Sequence, residues 1–272
     1  MIFCYKRQYY HLIFMNYVST KTYDIANGTG VRVTIFVAGC PKEPKCPNCF
    51  NPETHDFNAG KEFTEEVMNS LLEEAGKSYI HGITLLGGEP MDLRNQKGLL
   101  PYVQKFKDMN PEKDIWCFTG FHFEEILKMY RTQQLTKELL PLIDVIVDGE
   151  FIEAEKDPRL VFKGSANQRT IILFNMNQDI NDKKIDLMIE RANKDYTYGI
   201  TLFDAEEINI EKYKTIIPIL KNFKNNNPQK EILWVPNLNY EDILKLKEIS
   251  IMKEFLDIID YTYDTNSIIQ KM

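Results

Sequence analysis

Residues 79–128 lie without a gap on residues 196–245, at an offset of 117 positions, with 18 identities in 50. Tyr79-Ile-His-Gly-Ile-Thr-Leu85 falls on Tyr196-Thr-Tyr-Gly-Ile-Thr-Leu202, and Asn110-Pro111 on Asn227-Pro228. Glu124-Glu-Ile-Leu-Lys128 falls on Glu241-Asp-Ile-Leu-Lys245, and Leu142–Asp148 has an echo at Ile258–Asp264 displaced by one residue. A repeat of this length limits the fold, because both copies must be able to form the same supersecondary unit and bury the same faces.

That unit is a strand followed by a helix. β-branched and aromatic runs centred near residues 34, 83, 115, 145, 171, 200, 232 and 260 predict eight strands. Amphipathic helices are expected over Thr64–Lys77, with Thr64 as N-cap, around Leu99–Met109, and over Phe123–Tyr130. Alternation of strand and helix argues for βα units around a parallel sheet, hence the α/β class. Eight strands would suffice for a closed barrel, but the fourth and fifth are joined without a clear helix. The expected architecture is a partial (βα) barrel with a C-terminal degenerate repeat that extends or closes it, closure being left open.

The chemistry is concentrated in one loop. Val31–Val37 reads as a buried strand, and directly after it comes Gly39-Cys40-Pro-Lys-Glu-Pro-Lys-Cys46-Pro-Asn-Cys49-Phe50-Asn51. Three thiolates at the C-terminal end of a strand, where α/β folds place ligands, need a positive partner. A zinc ion would take a fourth ligand, for which His55 is available; an iron–sulfur cluster would leave one iron open to a non-protein ligand. The loop alone leaves both readings open. At the end of the next strand stands Gly87-Gly88-Glu89-Pro90, readable as a plain turn or as backbone left bare for a ligand. The repeat has Asp204-Ala205-Glu206-Glu207 there, and no second cysteine cluster. The pattern of the core is kept in the second copy and the special backbone is not, so a ligand contact is expected in the first copy and a scaffold role in the second.

Composition narrows the class. Apolar residues make up 43% and charged residues 27%, as in globular proteins, and the net charge of −7 argues against broad nucleic-acid binding. Five cysteines, odd in number and clustered, point to a reducing compartment, so a cytoplasmic location is expected. No apolar run approaches a membrane span, and residues 1–17 lack the pattern of a signal peptide. Cys117, within a strand, reads as a buried small hydrophobe.

The cysteine loop ending Cys-Phe-Asn, followed by Gly-Gly-Glu-Pro, resembles the radical S-adenosylmethionine (SAM) enzymes. Asn27-Gly-Thr-Gly30, Trp116–Phe121 with Thr119-Gly120, Val147–Phe151 and Gly164-Ser-Ala-Asn-Gln-Arg169 narrow the resemblance to the activating enzymes of anaerobic (class III) ribonucleotide reductase, over about Met15–Phe174. The resemblance implies that Cys40, Cys46 and Cys49 hold a [4Fe–4S] cluster whose open iron binds SAM. It places Gly87, Gly88, Glu89 and Pro90 at the methionyl end of SAM, and Asn48, Cys49 and Phe50 along the adenine. It implies radical transfer to a glycine of the reductase large subunit, with electrons from a reduced flavodoxin- or ferredoxin-type donor. Gly164, Ser165, Asn167, Gln168 and Arg169 become candidates for facing that partner. It divides the chain into a 1–14 extension, with Met15 as an alternative start, a 15–175 activase domain and a 176–272 repeat. The spacing here, C-x5-C-x2-C, exceeds the family's C-x3-C-x2-C by two residues, and Lys42–Lys45 is expected to bulge outward while the thiolates keep their places. Two other readings remain: an activase for a different glycyl radical enzyme, and a metal-binding module that performs no catalysis.

Overall fold

The computed structural model describes residues 15–160, 162–174, 200–204, 213–214, 217–218, 220–221, 224–225, 232–235, 248–258 and 260–261. Its first part runs β1 (Asn16–Asp24), β2 (Val31–Val37), β3 (Lys61–Glu62), α1 (Glu65–Ala75), β4 (Ile80–Gly87), α2 (Leu93–Met109), β5 (Asp114–Phe118), α3 (Phe123–Thr132), α4 (Gln134–Leu139) and β6 (Val145–Asp148). There follow β7 (Arg169–Phe174), β8 (Ile200–Asp204), β9 (Ile232–Val235), α5 (Ser250–Leu256) and β10 (Asp260–Tyr261). All strands belong to one mixed sheet in the order β10-β9-β8-β7-β6-β5-β4-β2-β1-β3. Among the described residues the sheet is open, with β3 and β10 at its edges. All eight expected strand centres fall within strands. The expected division at residue 175 and the 1–14 extension lie outside the described residues.

Strands β2, β4, β5 and β6 are mutually parallel, as are β7 to β10, but β6 meets β7 antiparallel. This is the junction where the sequence offers no crossover helix. The reversal has a geometric consequence. Right-handed crossovers that keep moving in one direction across the sheet change face when the strands change direction. Alternation along the strands records the two faces. Ile115, Cys117, Ile146, Ile171 and Leu173 join the core under α1 to α4. Their neighbours Trp116, Val145, Val147 and Ile172 pack instead with Met252, Phe255 and Leu256 of α5 and with the helical residues Tyr213, Ile217 and Leu220.

The repeat is reproduced in the sheet register. Ile83, Thr84 and Leu85 pair with Ile115, Trp116 and Cys117; Ile200, Thr201 and Leu202 pair with Ile232, Leu233 and Trp234, each 117 positions on. The third strand departs further than expected: Trp116 meets Val145 but Leu233 meets Asp260, two positions off the common offset rather than one.

Local chemistry sets the ends of the helices. The Thr64 hydroxyl accepts from the Val67 N–H at 3.4 Å, as an N-cap should. α2 starts at Leu93, six residues earlier than the apolar pattern indicates, because Asp92 caps it by accepting from Arg94 N–H at 3.0 Å. The first turn of α2 is polar but not exposed: Asn95 and Gln96 are buried and bond to backbone carbonyls. Arg32, fully buried, is held by Asp114 at 2.6 Å, Thr84 at 2.7 Å and the Ile83 carbonyl at 2.7 Å, so its charge is compensated.

Candidate metal centre

β2 and β4 are adjacent and parallel, so the loops that follow them emerge side by side. These loops carry the cysteines and Gly87–Pro90, and backbone bonds lock them together. Gly88 N–H donates to the Val37 carbonyl and Glu89 N–H to the Gly39 carbonyl, both at 2.8 Å. The Asn95 amide reaches the same Gly39 carbonyl at 3.3 Å and that of Glu89 at 2.9 Å. Gly39 has φ +93°, and Gly88 lies so close that a Cβ there would sit 2.3 Å from the Gly39 oxygen. Gly88 therefore has to be glycine for its packing on the cysteine loop, besides any ligand it meets.

Cys40, Cys46 and Cys49 are half-buried free thiols that border one cavity of about 780 Å³. Gly87, Gly88, Glu89, Thr119, Gly120, Phe50, Gly164 and Gln168 border it too. Burial pushes the Cys40 and Cys49 thiols up, while the backbone N–H groups of Lys42 and Asn51 oppose the shift. Three thiols converging on one cavity are a donor set that a cationic centre would ionise. Among the described residues these three do not bring their sulfurs within 4.8 Å of one another, alone or with His55; the set that meets that spacing is His122, Glu124 and Asp148. A tetrahedral zinc with Zn–S near 2.3 Å needs sulfurs roughly 3.8 Å apart. A cluster, whose thiolates sit on different irons, spaces them more widely. In the His122 set, both carboxylates are already paired with Arg169.

Glu89 is the buried clamp of the site, 2% exposed. Its carboxylate accepts from Thr119 Oγ1 at 2.6 Å, Gly120 N–H at 2.7 Å and Met91 N–H at 2.9 Å, tying the ends of β4 and β5 together. Burial raises its pKa to about 7 against these three bonds. Pro90 is buried and does not line the cavity.

The longer span between Cys40 and Cys46 is not loose. Glu43 and Pro44 form an exposed tip, while Lys45 turns back so that its ammonium donates to the Cys40 and Lys42 carbonyls at 2.9 Å each and to Glu43 at 2.7 Å. Lys42 pairs with Glu150, and the Asn48 amide donates to Glu153. Asn48 has φ +53° and its side chain leaves the cavity, unlike Cys49 and Phe50, which line it. Phe50 is 55% exposed and lies 4.6 Å from the Phe151 ring. These cross-cavity partners were not foreseeable: about a hundred residues separate each pair, and only the acidic and aromatic character of Glu150–Glu153 hinted at them.

Gly164–Arg169 divides between cavity and scaffold. Gly164 and Gln168 line the cavity; Gln168 Oε1 accepts from Gly164 N–H at 2.8 Å and its amide donates to the Gly149 carbonyl at 2.8 Å. Ser165 is buried and accepts from Ile152 N–H, and the Asn167 amide donates to the Glu150 carbonyl. Arg169 is 9% exposed and bridges Asp148 at 3.0 Å and Glu124 at 2.7 Å. Burial works against the Arg169 charge, but the two carboxylates outweigh it and hold the proton more firmly than usual.

Residues 26–172, most of the part that holds the cysteine cavity, match the family model described as a 4Fe-4S single cluster domain. The fold and the three cysteines thus define a protein of the single-cluster iron–sulfur class. The chain belongs, within that class, to the family of anaerobic ribonucleoside-triphosphate reductase-activating proteins. It is 40% identical over 156 residues to the member from Pasteurella multocida, covering 57% of this chain and 95% of that one. The Haemophilus influenzae member is also 40% identical over 156 residues, covering 57% and 96%, and the Salmonella typhi member 38% over the same length and shares. Among the described residues no helix is long and apolar enough to cross a membrane.

Proposed function

We propose that this chain is a radical SAM activating enzyme that installs the glycyl radical of an anaerobic ribonucleotide reductase. One observation carries the reading: in a chain of this family, the three cysteines and Gly87–Glu89 border a single cavity. Cys40, Cys46 and Cys49 would hold a [4Fe–4S] cluster with one iron left open. When bound, the cluster would supply one electron for the reductive cleavage of SAM, the radical chemistry that would end on a glycine of the reductase.

The chain's own residues bind, orient and keep out water. The backbone of Gly87, Gly88 and Glu89, with Pro90 behind it, would receive the methionyl end of SAM. Cys49 and Phe50 would lie along the adenine, and Asn48, through its bond to Glu153, would hold that stretch in place. Phe36, Phe118, Phe121, Phe151 and Phe162 give the cavity apolar walls suited to a reactive radical. Gly164 and Gln168 reach the cavity from the β6–β7 connection, which supports assigning 164–169 to the approach of the partner; Ser165, Asn167 and Arg169 would keep that connection in shape. A flavodoxin- or ferredoxin-type protein would deliver the electron, in the reducing cytoplasm. The sheet through β7 is read as a partial (βα) barrel, and residues 176–272 as a scaffold repeat without the SAM motif.

The deciding experiment is 5′-deoxyadenosine formation after anaerobic reconstitution with iron and sulfide, with Cys46→Ala as control and the reductase glycyl radical followed by electron paramagnetic resonance. Product and radical from the wild type, and neither from the variant, are expected. Zinc retained while iron is refused would replace this reading with a binding module.

A further inference from the structure

The cysteine loop is anchored differently on its two sides. On the inner side the anchors are backbone bonds: Gly39 N–H to the Thr54 carbonyl at 2.7 Å, Cys40 N–H to that of His55 at 3.1 Å, and Glu89 N–H to that of Gly39. On the outer side, facing the 149–168 connection between β6 and β7, no backbone bond joins the two segments among the described residues. Side chains alone span that gap: Lys42 to Glu150, Asn48 to Glu153, and Phe50 against Phe151 and Gly164. Lys45 bonds the carbonyl of Lys42 and so fixes the backbone from which the Lys42 side chain crosses. Both Lys42 and Glu150 border the cavity, and the connection they reach contributes Gly149, Phe151, Gly164 and Gln168 to its wall.

We propose that Lys42 is a positioning residue: its ion pair with Glu150 clasps the β6–β7 connection onto the cysteine loop and thereby sets the cavity wall that faces SAM. The SAM part of this inference rests on the function proposed above; the mechanical part does not. With side chains 32% and 38% exposed, the pair is of the weak, salt-screened kind. It can hold a wall in register and still yield.

The test is hydrogen exchange on the full chain without cofactor, for wild type, Lys42→Ala, Lys42→Glu, Glu150→Lys and the doubly reversed Lys42→Glu/Glu150→Lys. In Lys42→Ala, exchange across 149–168 is expected to rise about two- to fivefold, while the amides of Gly39, Cys40 and Glu89 stay unchanged. Wild type at high salt should approach the variant, and the double reversal should restore protection that each single reversal loses. In reconstituted enzyme, Lys42→Ala should raise the KM for SAM by a similar factor at constant kcat. Unaltered exchange in Lys42→Ala, or a double reversal no better than the single ones, overturns the clasp. Altered exchange with an unchanged KM overturns its role toward SAM. If the wild type forms no 5′-deoxyadenosine, the functional reading fails by itself, and the exchange comparison still decides the clasp.

Discussion

Gly88 and Gly39, each on a loop that follows a different strand, pack backbone to backbone, and a Cβ on Gly88 would fall 2.3 Å from the Gly39 oxygen. The cysteine loop and the Gly-Gly-Glu-Pro turn are thus one rigid body rather than two loops that happen to meet. The obstacle is main chain, held by the Glu89 N–H and the Asn95 amide, so it cannot rotate aside.

Gly88→Ala should therefore cost about 1–3 kcal/mol of stability and displace Cys40 at the same time. The expected outcome is a lower urea midpoint together with reduced iron after reconstitution. Full iron loading at an unchanged midpoint would show that the two loops are not rigidly joined.

Glu89 should make stability depend on pH. Its carboxyl, ordinarily near 4.5, is raised by burial to about 7, so the folded chain binds a proton that the unfolded chain releases. The stabilisation is fully present below pH 4.5 and is lost as pH rises through about 7, a change on the order of 3 kcal/mol. Urea midpoints of the iron-free chain across this range should fall with pH more steeply in wild type than in Glu89→Gln. The variant keeps a neutral side chain but turns an amide toward Gly120 N–H, so its curve should be lower and flatter. Parallel curves would assign the pH dependence to other groups.

Arg169, by resemblance a candidate for facing the partner, opens β7, where two carboxylates make it a fold determinant. Arg169→Ala would strand Asp148, fully buried, and Glu124 without their cation, at a cost of about 3–5 kcal/mol. Arg169→Lys should rescue little, since one ammonium cannot reproduce a fork that grips two carboxylates. Denaturation midpoints of the two variants check this. A small loss in Arg169→Ala would return the residue to the partner-facing surface.

What was legible in the sequence followed from local pattern. β2 and β4 to β6 announce themselves through short β-branched runs, because both their faces are covered, and the strands of the repeat through the pattern they share with the first copy. β1 does not, since it lies near the sheet edge and alternates exposed Ser19, Lys21 and Tyr23 with half-buried Thr20 and Thr22. The early start of α2 was hidden because Asn95 and Gln96 look like loop residues until their carbonyl partners are known. In the site, the cysteines and Gly87–Glu89 could be read because they lie in two short segments. The bridge from Lys42 to Glu150 could not, because it exists only after six strands have brought its ends together.

The second face of the sheet gives the last prediction. Trp116, Val145, Val147 and Ile172 are covered by α5 and the helical residues Tyr213, Ile217 and Leu220, all contributed by the part of the chain that follows β7. The relatives match only 57% of this chain, so here the repeat takes over the burial of a face that belongs to the first copy. A chain ending at Phe174 would expose that face while retaining Trp116 as its one tryptophan, Trp234 being removed. Its fluorescence should shift to the red, its urea midpoint should fall, and it should bind an apolar dye such as ANS. Phe255→Ala in the full chain should give a milder form of the same result, about 3–5 kcal/mol for a fully buried ring. A truncated chain that keeps the wild-type emission and midpoint would mean that β1 to β7 bury Trp116 without help, and that the repeat stabilises nothing but itself.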